Sequence, residues 1–267
     1  VNQEELRGLL DFGVRIAREA GEITLRYFQK EFETRLKGKD NFVTQADLEA
    51  EQFLRAEIHA AFPDDAVVGE EGGETAGASG RRWIIDPIDG TYSFVHGVPF
   101  YGVLLGLEIG GEPTAGVINI PALGELVYAA KGLGCFHNGR PARVSQTASL
   151  GDALLLATDF GACERYGLGR ACDALARRAS ARRTWGDCYG YVLVATGRAD
   201  VMMDPVMNLW DCAALLPVVE EAGGSFTDWR GQRTINSGNA LATNGLLFGE
   251  VMGIIEENRE NSWVFER

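Results

Sequence analysis

Histidine is scarce in this chain and cysteine is scattered: three of the first and five of the second occur in 267 residues. The cysteines, Cys135, Cys163, Cys172, Cys188 and Cys212, contain no C-x-x-C pair, and His59, His96 and His137 never fall at the i, i+4 spacing of a helical metal pair. A zinc site built on thiolates or on paired helical imidazoles is therefore not expected. An odd, dispersed set of thiols reads as buried filler in a reducing compartment.

Positive charge is also in deficit. Against 38 Asp and Glu stand 25 Lys and Arg, a formal net charge of -13 with histidine neutral, which argues against a nucleic-acid backbone or an anionic membrane as partner. No run approaches the ~20 apolar residues of a membrane span. The opening VNQEELRGLLDFGVRIAREAGEITL is amphipathic and bears acids, unlike the basic-then-apolar order of a signal peptide. A cytoplasmic protein is expected. The remaining composition, 46% apolar and 24% charged, is that of one large globular domain or two small ones. Carboxylates are the chemistry the chain has in quantity.

The apolar spacing of Leu6, Leu9, Leu10, Gly13, Ile16, Ala17, Ala20, Ile23 and Tyr27 predicts a long helix over 4–29. A second helix is predicted from Thr44, where Thr44 and Asp47 fit a capping box, with Leu48, Leu54, Ile58 and Phe62 as its apolar face and Pro63 as its stop. Short apolar runs then follow: AVVGEE, RWIID, YGVLLGLEIG, PTAGVINI and ELVYAAKG, a mostly antiparallel meander. After about residue 145 strands alternate with helices, the latter predicted over 164–179, 188–196, 210–222 and from Gly245. The expected division is an α+β half over 1–145 and an α/β half over 146–267, sharing one interface.

The most informative segment is WIIDPIDGTYSF. Asp86 and Asp89 bracket a tight Pro-Ile step that can aim both acids to one side and free the Ile88 carbonyl, giving hard oxygen ligands of the kind Mg²⁺ selects. A helix opening at Gly90 and Thr91 would offer backbone N–H groups to a phosphate. The same residues also spell an ordinary turn. Other acids weigh against that plainer reading: Glu70 and Glu71 end another predicted strand, and Asp211 follows Trp210 at a predicted helix start. Glu70, Asp86, Asp89 and Asp211 could converge as a cage for two or more Mg²⁺, whose charge would let an acidic protein hold a phosphomonoester.

Gly69-Glu70-Glu71, Asp86-Pro87-Ile88-Asp89-Gly90-Thr91, Trp210-Asp211-Cys212-Ala213-Ala214 and Glu221-Ala222-Gly223-Gly224 together resemble the motifs of the inositol monophosphatase family of Mg²⁺-dependent, lithium-sensitive phosphatases. The resemblance runs over nearly the whole chain. It implies a layered αβαβα sandwich, of mixed α+β and α/β character, of the inositol monophosphatase and fructose-1,6-bisphosphatase type. It implies metal ligands at Glu70, Asp86, the Ile88 carbonyl, Asp89 and Asp211, holding two or three Mg²⁺ with Mn²⁺ able to substitute. Glu70 and Thr91 would position and activate the attacking water, the amides of Gly90 and Thr91 would hold the phosphate, and Thr44 and Asp47 would support the water shell. The capping-box reading of Thr44 and Asp47 is equally good, and both can hold at once. A homodimer is implied by the resemblance alone.

The segments RRTWGDCYGY and DPVMNLWDCAALLPVVEEAGG look closer to the histidinol-phosphate phosphatase branch of that family, with Leu215 after the Ala pair and Asp204 seven residues before Asp211. Histidinol phosphate carries an ammonium and an imidazole, which acceptors at Asp187, Asp204 and Asn208 would suit. Each has a plainer reading, as a helix cap or a turn start. Arg183 could clamp the substrate or belong to a solvated cluster with Arg177, Arg178 and Arg182; Trp185, Tyr189 and Tyr191 could stack on an imidazole or fill the core. Lys37 and Lys39 stand in a loop where the family places a phosphate-proximal lysine, without a clean register. The expected activity is hydrolysis of a small phosphorylated substrate by in-line attack of metal-activated water with no phosphoenzyme, histidinol phosphate first. Inositol-1-phosphate comes second, and fructose-1,6-bisphosphate or a phosphoadenosine nucleotide third. A relative that kept the fold and acts through protein contacts is the non-enzymatic rival.

Overall fold

The computed structural model of the chain describes residues 1–30, 34–36 and 42–259. Helix α1, Gln3–Leu25, buries Leu6, Leu9, Leu10, Ile16, Ala17, Ala20 and Ile23 on one face, and the Asn2 side chain caps it by accepting from the Glu5 N–H at 2.9 Å. The antiparallel pair β1, Thr34–Leu36, and β2, Phe42–Thr44, leads into α2, Gln45–Ala61, which opens on the Thr44/Asp47 capping box. One member of the expected apolar face departs from it. With Ala46, Asp47, Ala50, Glu51, Leu54 and Ile58 inward, Leu48 is turned outward and is 50% exposed. Lys37 and Lys39 lie outside the described residues.

The meander is an eight-stranded sheet of β3 Ala66–Gly69, β4 Gly73–Thr75, β5 Arg81–Asp89, β6 Gly102–Ile109, β7 Glu112–Ile120, β8 Glu125–Ala130, β9 Gly134–His137 and β10 Arg140–Pro141. Its order is β10-β9-β8-β7-β6-β5-β3-β4, antiparallel throughout except for the parallel pair β3 and β5. The Asp-Pro-Ile-Asp step is not a turn that ends the strand, as the sequence suggested. Asp86 pairs with Leu104 and Asp89 with Gly102, so β5 carries one residue more than β6 across the same span. That is a bulge, accommodating a proline that has no N–H to give the ladder. Helix α3, Thr91–Val95, follows Gly90, whose φ of 80° is the left-handed conformation that makes the corner.

The second sheet contains β11 Leu154–Ala157, β12 Ala181–Arg183, β13 Val201–Asp204, β14 Ser225–Thr227 and β15 Ala240–Thr243, in the order β12-β11-β13-β15-β14. Its helices are α4 Phe160–Arg165, α5 Gly169–Arg178, α6 Asp187–Ala195, α7 Leu209–Ala213, α8 Leu215–Glu221 and α9 Phe248–Glu257. Two helices expected to be continuous are broken. Gly167, at φ 75°, separates α4 from α5. Pro217 cannot donate to the Ala213 carbonyl one turn earlier, and the chain parts into α7 and α8 at Ala214.

Three apolar clusters define the layers. One joins α1 and α2 to a face of the first sheet through Leu54, Trp83, Ile85 and Val117. The opposite face, through Ile84, Leu104 and Ile118, packs on α6 and α8, which meet the second sheet at Leu156, Met202 and Phe226. The far side of that sheet, with Leu155, Val201 and Leu241, is covered by α4, α5 and α9. The result is the αβαβα sandwich, with the first sheet inside residues 66–141 and the second inside 154–243.

The thiols depart from expectation. Cys135, Cys188 and Cys212 are free and buried, but Cys163 and Cys172 form a disulfide between α4 and α5. Sequence spacing gave no sign of this pair, because the bend at Gly167 is what folds the two short helices together. The compartment argument drawn from unpaired thiols does not extend to it. Among the described residues no helix is long and apolar enough to cross a membrane.

Candidate metal and phosphate site

The parallel pairing of β3 and β5 places Gly69 opposite Ile85, so Glu70, just past the end of β3, and Asp86, still paired within β5, follow neighbouring positions at the same end of the sheet. Asp86 is 2% exposed, and its Oδ1 accepts the Ile88 N–H at 3.0 Å, which fixes the carboxylate beneath the bulge. Asp89 lies at the end of β5 and takes the Cys188 N–H on Oδ2 at 2.6 Å. Asp211 arrives on the first turn of α7, where its Oδ2 accepts from Asn208 N at 2.6 Å and from Asn208 Nδ2 at 3.3 Å. Asp86, Asp89 and Asp211 each present an oxygen within 4.8 Å of the other two.

Their electrostatics are those of crowded, buried acids. Burial holds the Asp86 carboxyl well above the usual carboxylate range, with Glu70, Asp89, Asp211 and Asp47 adding to the effect. Burial, then Asp187 and Asp211, raise Asp89 likewise, and burial raises Asp211. Asp47 is pushed up to about 6, burial outweighing its bonds from Thr44. Thr44 gives both its N–H and its hydroxyl to Asp47 Oδ2, at 2.8 and 2.5 Å, while Asp47 Oδ1 is buried with no hydrogen-bond partner among the described residues. A buried orphan oxygen beside three converging carboxylates, all hard donors, fits a divalent cation. The acidic cluster can hold a metal ion. The Ile88 carbonyl accepts the Thr91 hydroxyl at 2.9 Å, which leaves it a second lone pair.

The residues expected to face the substrate separate into two groups. Asp187, at φ 51°, opens α6 directly over the Gly90 corner: a Cβ on Gly90 would come 2.9 Å from its Oδ2. Ser93 Oγ donates to that oxygen at 3.1 Å, and burial lifts the carboxyl to about 6. Asp204 does not share this position. It is 3% exposed, with Oδ1 taken by Thr158 N–H at 3.1 Å and Oδ2 by the Tyr191 hydroxyl at 3.0 Å. Both its oxygens serve the scaffold. Asn208 is exposed, but its amide is turned to Asp211. Arg183 is exposed on β12, its guanidinium 6.0 Å from the centroid of the Trp185 ring, and Trp185 is itself 39% exposed. Tyr191 is core, and Tyr189 is buried against Phe100.

Sequence reasoning missed two groups that shape this corner. The Thr158 hydroxyl accepts the Asp187 N–H at 2.8 Å and so holds that residue's left-handed backbone, and Ser93 engages the Asp187 carboxylate. No local pattern signals Thr158. Ser93 could have been suspected from its place just after the Asp-Gly-Thr corner.

The sequence matches the inositol monophosphatase family over residues 5–260. It is 46% identical over 235 residues to a histidinol-phosphatase from Chlorobaculum parvum, covering 88% of this chain and 91% of that protein. It is 36% identical to a fructose-1,6-bisphosphatase/inositol-1-monophosphatase from Thermotoga maritima, over 93% of this chain and 96% of the relative. The fold superposes on the crystal structure of extragenic suppressor protein suhB from Bartonella henselae with a TM-score of 0.88 at 31% identity, covering 94% and 99% of the two chains. Strand pairing, the acid cluster at the ends of β3 and β5 and the extent of these matches agree, and the chain belongs to the inositol monophosphatase family.

Proposed function

We propose that this chain is a divalent-metal-dependent phosphomonoesterase whose substrate is histidinol phosphate, releasing histidinol and inorganic phosphate. The observation that carries the reading is the meeting of Asp86, Asp89 and Asp211, from separate segments, within 4.8 Å. The cluster, with Glu70 and the Ile88 carbonyl, would hold two or three Mg²⁺, or Mn²⁺ in their place. Bound there, the ions would supply Lewis-acid charge neutralisation and lower the pKa of water.

The chain's own groups divide the remaining work. Thr91 Oγ1 spends its proton on the Ile88 carbonyl, so its oxygen can only accept, and it orients a water by taking one O–H. Glu70 would take that water's second proton as attack begins. Thr44 fixes the Asp47 carboxylate through Oδ2, and Asp47 Oδ1 would serve as an acceptor for the same shell. The amides of Gly90 and Thr91, at the glycine corner, would receive the phosphate oxygens. Asp89 is tied by the Cys188 N–H and would bind metal through its other oxygen, so it is not a free nucleophile and no phosphoenzyme is expected.

Preference for histidinol phosphate draws on the 46% identical relative and on the corner itself. Asp187, lifted to about 6 by burial, would gain a counter-charge from the substrate ammonium, and exposed Trp185 beside Arg183 offers a face to the imidazole. Asp204 and Asn208 drop out of that pocket on their observed bonds. The same reading carries lithium sensitivity and a homodimer as expectations. The 36% identical bisphosphatase relative keeps inositol-1-phosphate and fructose-1,6-bisphosphate as alternatives. Phosphate release from histidinol phosphate, inositol-1-phosphate, fructose-1,6-bisphosphate and a phosphoadenosine nucleotide, each with Mg²⁺ and with chelator, decides between them. Highest kcat/KM on histidinol phosphate, abolished by chelator, is expected. A preference for another ester replaces the substrate, and no turnover of any ester removes the enzymatic reading.

A further inference from the structure

Glu70 sits in an unusual setting for a metal ligand. Gly69 and Gly73 pair across β3 and β4, so residues 70–72 form the loop of a hairpin whose outer strand, β4, is the exposed edge of the sheet. Loops at sheet edges are ordinarily the mobile part of a fold, and here one must keep a carboxylate in register with Asp86. The buried charge beside it belongs to Glu51, whose side chain is 3% exposed. Glu51 Oε2 accepts the Glu71 N–H at 2.8 Å, and Oε1 accepts the Gly72 N–H at 2.7 Å and Arg55 Nε at 2.7 Å. Arg55 continues around the loop, donating from Nη2 to the Gly73 carbonyl at 2.5 Å and from Nη1 to Thr75 Oγ1 at 3.4 Å.

We infer that Glu51 and Arg55 are positioning residues that clamp the Gly69–Gly73 hairpin and so fix Glu70 for metal binding. The inference rests on the proposed role of Glu70 as a ligand. Three features support it beyond the bonds themselves. Asp47, Glu51 and Arg55 stand four residues apart on α2, hence on one ridge of the helix, so the element that aims Asp47 at the site also holds the loop. The glycines leave the clamp its space: a Cβ at Gly69 would lie 2.5 Å from Glu51 Oε1, and one at Gly72 would lie 2.8 Å from both Glu51 Oε1 and Arg55 Nε. Finally, these bonds go to the Glu71 and Gly72 N–H groups and the Gly73 carbonyl, just after Glu70, so they restrict its place through the backbone.

The test is Mg²⁺-induced thermal stabilisation, titrated in Glu51→Gln, Gly72→Ala and Glu70→Gln, with Glu108→Gln as control. Glu108 is another buried acid in an ion pair, held by Arg82 in the first sheet, and its loss measures what breaking such a pair does in general. Glu51→Gln replaces one acceptor by a donor facing an N–H. Its Mg²⁺ midpoint is expected to rise about tenfold or more, the usual effect of removing a residue that orients a ligand, with substrate KM at saturating Mg²⁺ little changed. Gly72→Ala, at an exposed position, should move the midpoint the same way and stands in if Glu51→Gln does not fold. Glu108→Gln should lower the metal-free melting temperature and leave the midpoint alone. If Glu70→Gln shifts the midpoint while Glu51→Gln and Gly72→Ala do not, the clamp is merely structural and the inference fails. If Glu70→Gln also leaves it unmoved, Glu70 is not a ligand and the proposed site fails with it.

Discussion

The backbone N–H of Cys188 donates to Oδ2 of Asp89 across 2.6 Å, joining the first turn of α6 to the end of β5 over 99 residues of sequence. The bond fixes which Asp89 oxygen is left to face Asp86 and Asp211. It also brings Asp187, the residue before Cys188, over Gly90, so one contact orients both a carboxylate of the acidic cluster and the acid proposed to meet the leaving alcohol.

Asp86→Asn is expected to lower Mg²⁺-dependent turnover by about a hundredfold or more, since the residue at the centre of the cluster no longer contributes charge. The metal-free protein should melt at the same temperature or higher, because burial and four neighbouring acids oppose the Asp86 charge. Steady-state kinetics and a thermal melt in EDTA check both halves. A variant that keeps near-normal turnover would contradict the assignment.

Metal-free stability should fall as pH rises. Asp47 and Asp187 are lifted to about 6 and Asp204 to about 7, from an ordinary 3.8. A carboxyl with a folded pKa above its unfolded one binds its proton more tightly in the fold. Its contribution is full below the unfolded pKa and lost as pH passes the folded value. Urea midpoints in EDTA are therefore expected to be lower at about pH 8 than at about pH 5, with saturating Mg²⁺ narrowing the gap. Midpoints that climb over that interval in EDTA would overturn the sign.

Asp204→Asn separates scaffold from substrate. The amide oxygen can still accept the Thr158 N–H, and the Tyr191 hydroxyl, now facing an amide donor, can turn to accept. Kinetic constants within about threefold of the parent are expected, with a flatter stability profile between pH 5 and 8. A rise in KM for histidinol phosphate of about tenfold with kcat unchanged would return Asp204 to the binding pocket.

Gly116→Ala tests the packing that carries Asp211. A Cβ at Gly116 would lie 2.1 Å from the Ala214 carbonyl oxygen, so β7 and the junction of α7 with α8 cannot both stay in place. A loss of about 1–3 kcal/mol in urea unfolding is expected. A fall in turnover should accompany it, because the displaced junction follows the helix that holds Asp211. Unchanged stability would show that the two layers are not in rigid contact.

The meeting of the acids was legible because they are concentrated in short motifs: Asp86 and Asp89 around a proline and Asp211 at a helix start, with Glu70 at the end of the strand parallel to β5. Type and period also marked α1, the capping box of α2 and the strands of the meander. Sequence alone could not tell that Asp86 to Asp89 is a bulge rather than a turn, since that depends on the two-against-one register with β6. The Cys163–Cys172 pair and the withdrawal of Asp204 were equally invisible. Each follows from a long-range or bent contact, at Gly167 and at Thr158, that local patterning does not encode. Asp204 in particular keeps the spacing to Asp211 that suggested a substrate role, while Tyr191 and Thr158 turn its oxygens inward.

The most direct test of the central claim is anomalous diffraction from crystals of the protein grown or soaked with Mn²⁺. The account predicts peaks among the carboxylates of Asp86, Asp89, Asp211 and Glu70, next to the Ile88 carbonyl, and none of them at Asp204. Crystals in which those four side chains bind no manganese at concentrations that support turnover would contradict it.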